Sequence, residues 1–395
     1  MNGETLMQAR KNPEFPLVFV HGMFGWGANE GINKYVPYWG ATTGSIAKFL
    51  REKGIECCEA SVGPMSSAWD QACELYAQLM GIRVDYGKAH SEKFGHKQFG
   101  REYKSPLIKG WSEEKKVHLI GHSFGGNTVR MLTHLLTYGA PEEIEASGDE
   151  VSPLFRGGNQ ALVCSVTAIC SPLNGTSAHE TALRFKLVTP LKCVAYAYAA
   201  ALGRSKVNGV FVDFHLEQFR ISNTPGYKDT DAFIKSVKQI YNTQDCIEYD
   251  MSVDGSAKLN ERIATAQDVY YFSYPFNSIR AFKDGKFYLP ADGGFPFLSL
   301  TSLMMLDTLR IKGGSVEKVY NDGLVDVESA SYPKGQPFCN YNNAPVKGVW
   351  NVMPVCIGDH GTAIGLFANK ERTRDFYMQL VYLLERTEKS YQTVE

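Results

Sequence analysis

Apolar residues along the chain fall into short unbroken runs, separated by stretches in which they recur at helical spacing. Leu17-Val18-Phe19-Val20 is one such run, bounded by Pro16 and Gly22, as expected of a strand buried on both faces of a parallel sheet. Val117-His118-Leu119-Ile120 is a second, and behind it Val129, Leu132 and Leu136 recur with the period of a helix. Residues 162–169, 269–274 and 316–320 are three further strand candidates, and Phe376, Leu380 and Leu384 mark a late helix. Strands alternating with helices predict an α/β protein with a mostly parallel central sheet flanked by helices.

Connections between such elements have a median of about 4–6 residues. Residues 61–105, 173–267 and 275–314 are much longer and are read as insertions into a single domain spanning 1–395. Within the second, residues 188–202 are rich in Ala, Tyr, Val and Leu but are interrupted or flanked by Lys186, Pro190 and Lys192. A membrane span needs about 20 apolar residues, so this segment predicts an apolar helix and not a transmembrane one.

Composition narrows the picture. The chain is 44% hydrophobic over 395 residues, enough for a large core, and its formal net charge of −1 points to neither nucleic acid nor an anionic surface as partner. The nine cysteines are odd in number, include the adjacent pair Cys57-Cys58 and form no C-x-x-C. They read as small apolar core residues and not as a disulfide framework. Residues 1–15 lack the charged-then-apolar pattern of a secretory signal.

Candidate chemistry begins where the second apolar run meets its helix, at Gly121-His122-Ser123-Phe124-Gly125. A strand-to-helix turn this tight forces strained angles on its central residue and needs small neighbours on both sides. It also lifts the Ser123 hydroxyl clear of the sheet, beside free N–H groups of a helix start that favour a developing oxyanion. His21-Gly22-Met23 follows the first strand, where a second donor is needed, so the backbone N–H groups of Met23 and Phe124 are the predicted oxyanion hole. On this α/β-hydrolase arrangement the acid and then the histidine follow the serine, which leaves His179, His215 and His360 as bases. His360 is preferred, because Gly358-Asp359-His360-Gly361 is a loop shortly before the last helix. For the acid, Asp322 in Asn321-Asp322-Gly323 is preferred at the end of the 316–320 strand, with Asp326 as its rival.

These pieces, with Gly22-Met23-Phe24-Gly25-Trp26-Gly27, Tyr38-Trp39-Gly40, the segment from Val62-Gly63-Pro64 to Trp69-Asp70, and Val84-Asp85-Tyr86-Gly87, resemble bacterial lipase family I.5. The likeness runs from about Pro16 to near Tyr382. It implies an α/β-hydrolase fold with an inserted lid and a zinc-binding subdomain, with 188–202 falling at the lid. It implies a structural zinc at Asp70, His90, His96 and Asp250; four protein ligands would leave no open position for water. It implies a triacylglycerol lipase that acts through an acyl-enzyme on hydrophobic esters at a lipid–water interface, and secretion. Calcium is not expected, because Thr362 and Phe367 stand where the family's acidic ligands would be. The unpaired cysteines fit a reducing or anaerobic setting. A broad carboxylesterase able to cut polymeric esters is the alternative, and a peptidase, a thioesterase or a silent binding protein on the same scaffold are more distant ones.

Overall fold

The computed structural model describes residues 12–186, 213, 215, 218, 243–282, 287–290, 295–311 and 319–392. Seven strands form the central sheet: β1 (Leu17–Val20), β2 (Cys57–Ala60), β3 (Val117–His122), β4 (Val163–Ile169), β5 (Tyr270–Tyr274), β6 (Phe338–Asn340) and β7 (Trp350–Val352). Their order is β6-β7-β5-β4-β3-β1-β2, and every neighbouring pair is parallel. The middle strands are buried along their whole length, which is why they read as unbroken apolar runs and not as alternating ones.

Side chains alternate between two cores. Val18, Val20, Leu119 and Val166 face α2 (Ala68–Met80) and α3 (Gly125–Tyr138), packing with Leu75, Val129 and Leu132. Leu17, Phe19, Ile120 and Phe272 face α1 (Ile46–Glu52) and the long α4 (Lys370–Gln392), packing with Leu50, Tyr377, Leu380, Val381 and Leu384. Glu388 on α4 accepts the N–H groups of Glu14 and Phe15 at 2.8 and 3.0 Å and contacts His118 Nε2 at 2.9 Å. His118 Nδ1 in turn lies 2.7 Å from Ser165 Oγ. This serine–histidine–carboxylate array is closed to solvent and sits inside unstrained strands, so it is a clamp between sheet and helix.

One expected strand is corrected. Residues 316–318 lie outside the described residues, and Val319 and Tyr320 are not strand; Asn321 makes only an isolated bridge to Asp326. Side-chain acceptors replace a ladder here: Asn321 Oδ1 takes the Gly323 N–H at 2.9 Å and Asp322 Oδ1 the Leu324 N–H at 2.9 Å, the turn-forming habit of these residues.

The 61–105 insertion carries α2, the short helix Lys88–Phe94 and an antiparallel ribbon of Arg83–Asp85 with Phe99–Glu102. The lid expected at 188–202 falls outside the described residues. Among the described residues, no helix is long and apolar enough to cross a membrane.

Candidate active site

Ser123 stands between the end of β3 and the start of α3 with φ of 55°, in the left-handed region, and its N–H donates to Ile169 O at 2.8 Å. The turn is tight because Gly121 and Gly125 touch: a Cβ on Gly121 would lie 2.2 Å from the Gly125 carbonyl. The loop after β1 presses on the same residue, since a Cβ on Gly22 would lie 2.6 Å from Ser123 Cβ and 3.1 Å from its Oγ. Gly22→Ala is therefore expected to lower kcat/KM for an ester by on the order of 100-fold, the scale of a displaced oxyanion donor, with little change in melting temperature. Steady-state rates beside a melting curve check this.

Two backbone N–H groups adjoin these contacts, one after Gly22 and one after Ser123. Among the described residues, those of Met23 and Phe124 have no acceptor, and Phe124 is the residue from which α3 departs. Phe124, at a helix start, carries the dipolar character that stabilises a negative oxygen.

His360 comes from the loop before α4. Its Nδ1 is 2.8 Å from Asp322 Oδ2, and its own N–H donates to the Asp322 carbonyl at 2.8 Å. Asp322 Oδ1 accepts the N–H groups of Leu324 and Val325 at 2.9 and 2.7 Å. An ionised carboxylate only accepts, so His360 Nδ1 carries the proton and Nε2 keeps its lone pair. The rival Asp326 is engaged elsewhere: it accepts the N–H and hydroxyl of Ser177 at 3.1 and 2.7 Å, and burial pushes its carboxyl up to about 6. His215 is also remote from this chemistry, lying 2.7 Å from Glu74 and 3.1 Å from Arg101 in a buried ionic cluster.

A second constellation lies in the 61–105 insertion. Asp70, His90, His96 and Asp245 each turn a ligand atom toward a common point. Asp70 Oδ1 and Asp245 Oδ1 are both 3.2 Å from His90 Nε2, and Asp245 Oδ2 is 3.1 Å from His96 Nε2. Yet Asp70 Oδ1, His90 Nε2 and Asp245 Oδ2 are buried without a hydrogen bond. Such spacing approaches the edge of about 3.3 Å of a tetrahedron whose bonds are about 2.0–2.1 Å long, as around zinc. His96 Nδ1 is 2.9 Å from the Lys97 carbonyl, which fixes the ring and leaves Nε2 for an ion. His90 stacks on Trp69 at 5.0 Å and 14°. The donor set fits zinc.

Asp250, expected as the fourth ligand, is not in this group. It sits at the end of the short helix Ile247–Asp250, where its Oδ2 accepts the Ala68 N–H at the start of α2 at 2.8 Å. Asp245 precedes that helix and is free to turn toward the histidines. Burial pushes the Asp250 carboxyl up to about 8. His122, Cys170 and His360 also lie close together, but both nitrogens of His122 and Nδ1 of His360 already have hydrogen-bond partners. At the positions weighed for calcium, Thr362 Oγ1 donates to Asp359 at 2.8 Å and Phe367 stacks on Phe295 at 5.0 Å.

Residues 13–395 match the family described as Lipase-like, C-terminal domain. The chain belongs to this family. It is 35% identical over 364 residues to Lipase 2 of Staphylococcus aureus, covering 89% of this chain and 50% of the relative. Lipase 1 of Staphylococcus aureus strain Mu50 is 33% identical over 396 residues, covering 97% and 56%. The chain thus spans about half the length of the curated relatives it matches. Among solved structures, Staphylococcus hyicus lipase superposes with a TM-score of 0.81 at 31% identity, covering 98% of this chain and 100% of that one. EstA from Clostridium botulinum does so with 0.80 at 32%, covering 97% and 90%. Beyond the residues that the sequence singles out, this lipase-like chain places Asp245, Tyr38 and His122 in its two constellations. Only the pairing of His122 with the elbow serine is a signal that reading along the chain offers.

Proposed function

We propose that this chain is a serine carboxylester hydrolase of the lipase type, with Ser123 as nucleophile. The 2.8 Å contact between His360 Nδ1 and Asp322 Oδ2, with the His360 ring 4.7 Å from that of His122, the residue before Ser123, carries the reading. Ser123 Oγ attacks the ester carbonyl while His360 Nε2 takes its proton, and Asp322 holds the imidazole in the tautomer that can do so. The N–H groups of Met23 and Phe124 receive the oxyanion. The protonated His360 then gives its proton to the leaving alcohol, an acyl group remains on Ser123, and water releases it by the same steps reversed. The names of the relatives and structural neighbours support a hydrophobic ester as substrate, met at a lipid–water interface, and the family resemblance supports export.

Asp70, His90, His96 and Asp245 would hold the zinc. Bound there, the ion would supply cohesion and not catalysis, because four protein ligands would leave no open position for water.

The test is covalent. A fluorophosphonate probe should label the chain once, at Ser123, and Ser123→Ala should abolish labelling. Nitrophenyl esters from acetate to palmitate then define the class: turnover persisting into long chains supports a lipase, and turnover confined to short chains a general esterase. Labelling retained in Ser123→Ala would remove the nucleophile assignment.

A further inference from the structure

The Gly22–Met23 peptide presents one of the two N–H groups proposed for the oxyanion. A peptide is planar, so whatever fixes the Gly22 carbonyl also aims the Met23 N–H, and a contact to the Gly22 N–H holds the peptide before it. The Gly22 carbonyl accepts the Gly25 N–H at 3.0 Å and lies 2.9 Å from His21 Nδ1. The Gly22 N–H donates to Tyr38 Oη at 3.0 Å. Tyr38 Oη is 2.7 Å from His122 Nδ1, and His122 Nε2 is 3.0 Å from the carbonyl oxygen of His360.

Partner chemistry orients every proton in this series. A carbonyl can only accept, so His122 Nε2 is the donor there. Burial first, and the neighbouring His360 second, hold the His122 pKa well below the usual histidine value, so the ring is neutral and Nδ1 is bare. Burial also raises the Tyr38 phenol, so its O–H is retained and donates to His122 Nδ1, which leaves the phenol oxygen to accept from Gly22. The result is one directed series from the His21–Gly22 peptide, next to the one that carries the Met23 N–H, through Tyr38 and His122, to the backbone of the base. His122 is also the covalent neighbour of Ser123.

Resting on the reading of Ser123, His360 and Met23 above, we propose that Tyr38 and His122 are positioning residues that hold the Gly22 backbone of the oxyanion loop and the catalytic histidine in one frame around the nucleophile. They touch no reacting atom. They set where two groups that do so stand, and displacements well under 1 Å matter at that level. A purely packing role predicts a loss of stability. A positioning role predicts a loss felt in the transition state.

Tyr38→Phe removes one oxygen and leaves the ring. The expected result is a fall in kcat of about 10–100-fold with KM changed less than about twofold. The affinity of a boronic acid that forms a tetrahedral adduct on Ser123 should fall by a similar factor, with the melting temperature nearly unchanged. His122→Gln can still donate to the His360 carbonyl and His122→Asn can still accept from Tyr38, so each should retain more kcat than His122→Ala. These two variants decide the matter if Tyr38→Phe does not fold. The proposal is overturned if kcat and boronate affinity stay within about twofold of wild type in Tyr38→Phe. It is equally overturned if all losses track melting temperature and KM. An inactive Ser123→Ala beside a fully active Tyr38→Phe would sink this inference alone, whereas an active Ser123→Ala would sink the reading beneath it.

Discussion

Asp322→Asn is expected to lower kcat for a nitrophenyl ester by about 10⁴-fold, the scale seen when a triad acid loses its charge. The amide would turn an N–H toward His360 Nδ1, now 2.8 Å from Asp322 Oδ2, so the imidazole must carry its proton on Nε2, where it cannot accept one from Ser123. The turn should survive, because an asparagine oxygen can still take the Leu324 and Val325 N–H groups that Oδ1 accepts today at 2.9 and 2.7 Å. An unchanged melting curve beside the kinetic collapse is therefore part of the expectation. Asp326→Asn, at the rival carboxylate, should stay within a few-fold of wild type, since its partner is Ser177. If the Asp326 variant instead showed the larger fall, the acid would have been misassigned.

The second large effect concerns stability. Removing zinc with a chelator, or replacing Asp245 with alanine, should lower the melting temperature by on the order of 5–10 °C, as several kcal/mol of metal-linked folding energy is lost. Both treatments leave buried carboxylates and imidazoles facing one another with no cation between them, which is costly. Asp250→Asn should behave differently, because the amide oxygen can still cap Ala68, whose N–H now donates to Asp250 at 2.8 Å. It should keep about one zinc per chain and a melting temperature near that of wild type. Elemental analysis of the purified variants decides between the two aspartates: zinc lost from the Asp250 variant and kept by the Asp245 variant would reverse the assignment.

The contrast between those aspartates shows what the linear sequence displays and what it hides. The strands β1, β3, β4 and β5 are legible because burial on both faces turns them into apolar runs, and Ser123 because its turn tolerates only small flanking residues. The strands nearer the sheet margins were not. Cys57-Cys58-Glu59-Ala60 contains a charged residue that the structure nevertheless buries, and Trp350-Asn351-Val352 is only three residues long, with Asn351 spending its amide on neighbouring carbonyls. Asp322 stands on a turn built from side-chain acceptors and not at the end of a strand, a placement that its apolar flank does not reveal. Asp245 and Asp250 lie five positions apart, and which of them faces the histidines depends on where a short helix begins. The Tyr38–His122 contact joins residues 84 positions apart, a relation that no local pattern encodes.

The covering of the sheet by α4 has a consequence for synthesis. Leu17, Phe19, Ile120 and Phe272 find their partners on a helix that begins at Lys370, and Glu388 holds the backbone of Glu14 and Phe15 across 373–374 positions. At about 5–20 residues per second, a ribosome needs roughly 20–70 s to pass from one side of these contacts to the other. Through that interval α1 alone covers the apolar face of the growing sheet, and the part that α4 will cover stays open. Each residue assigned to ester cleavage has by then been made, and the nascent polypeptide is at its most adhesive just before it becomes competent.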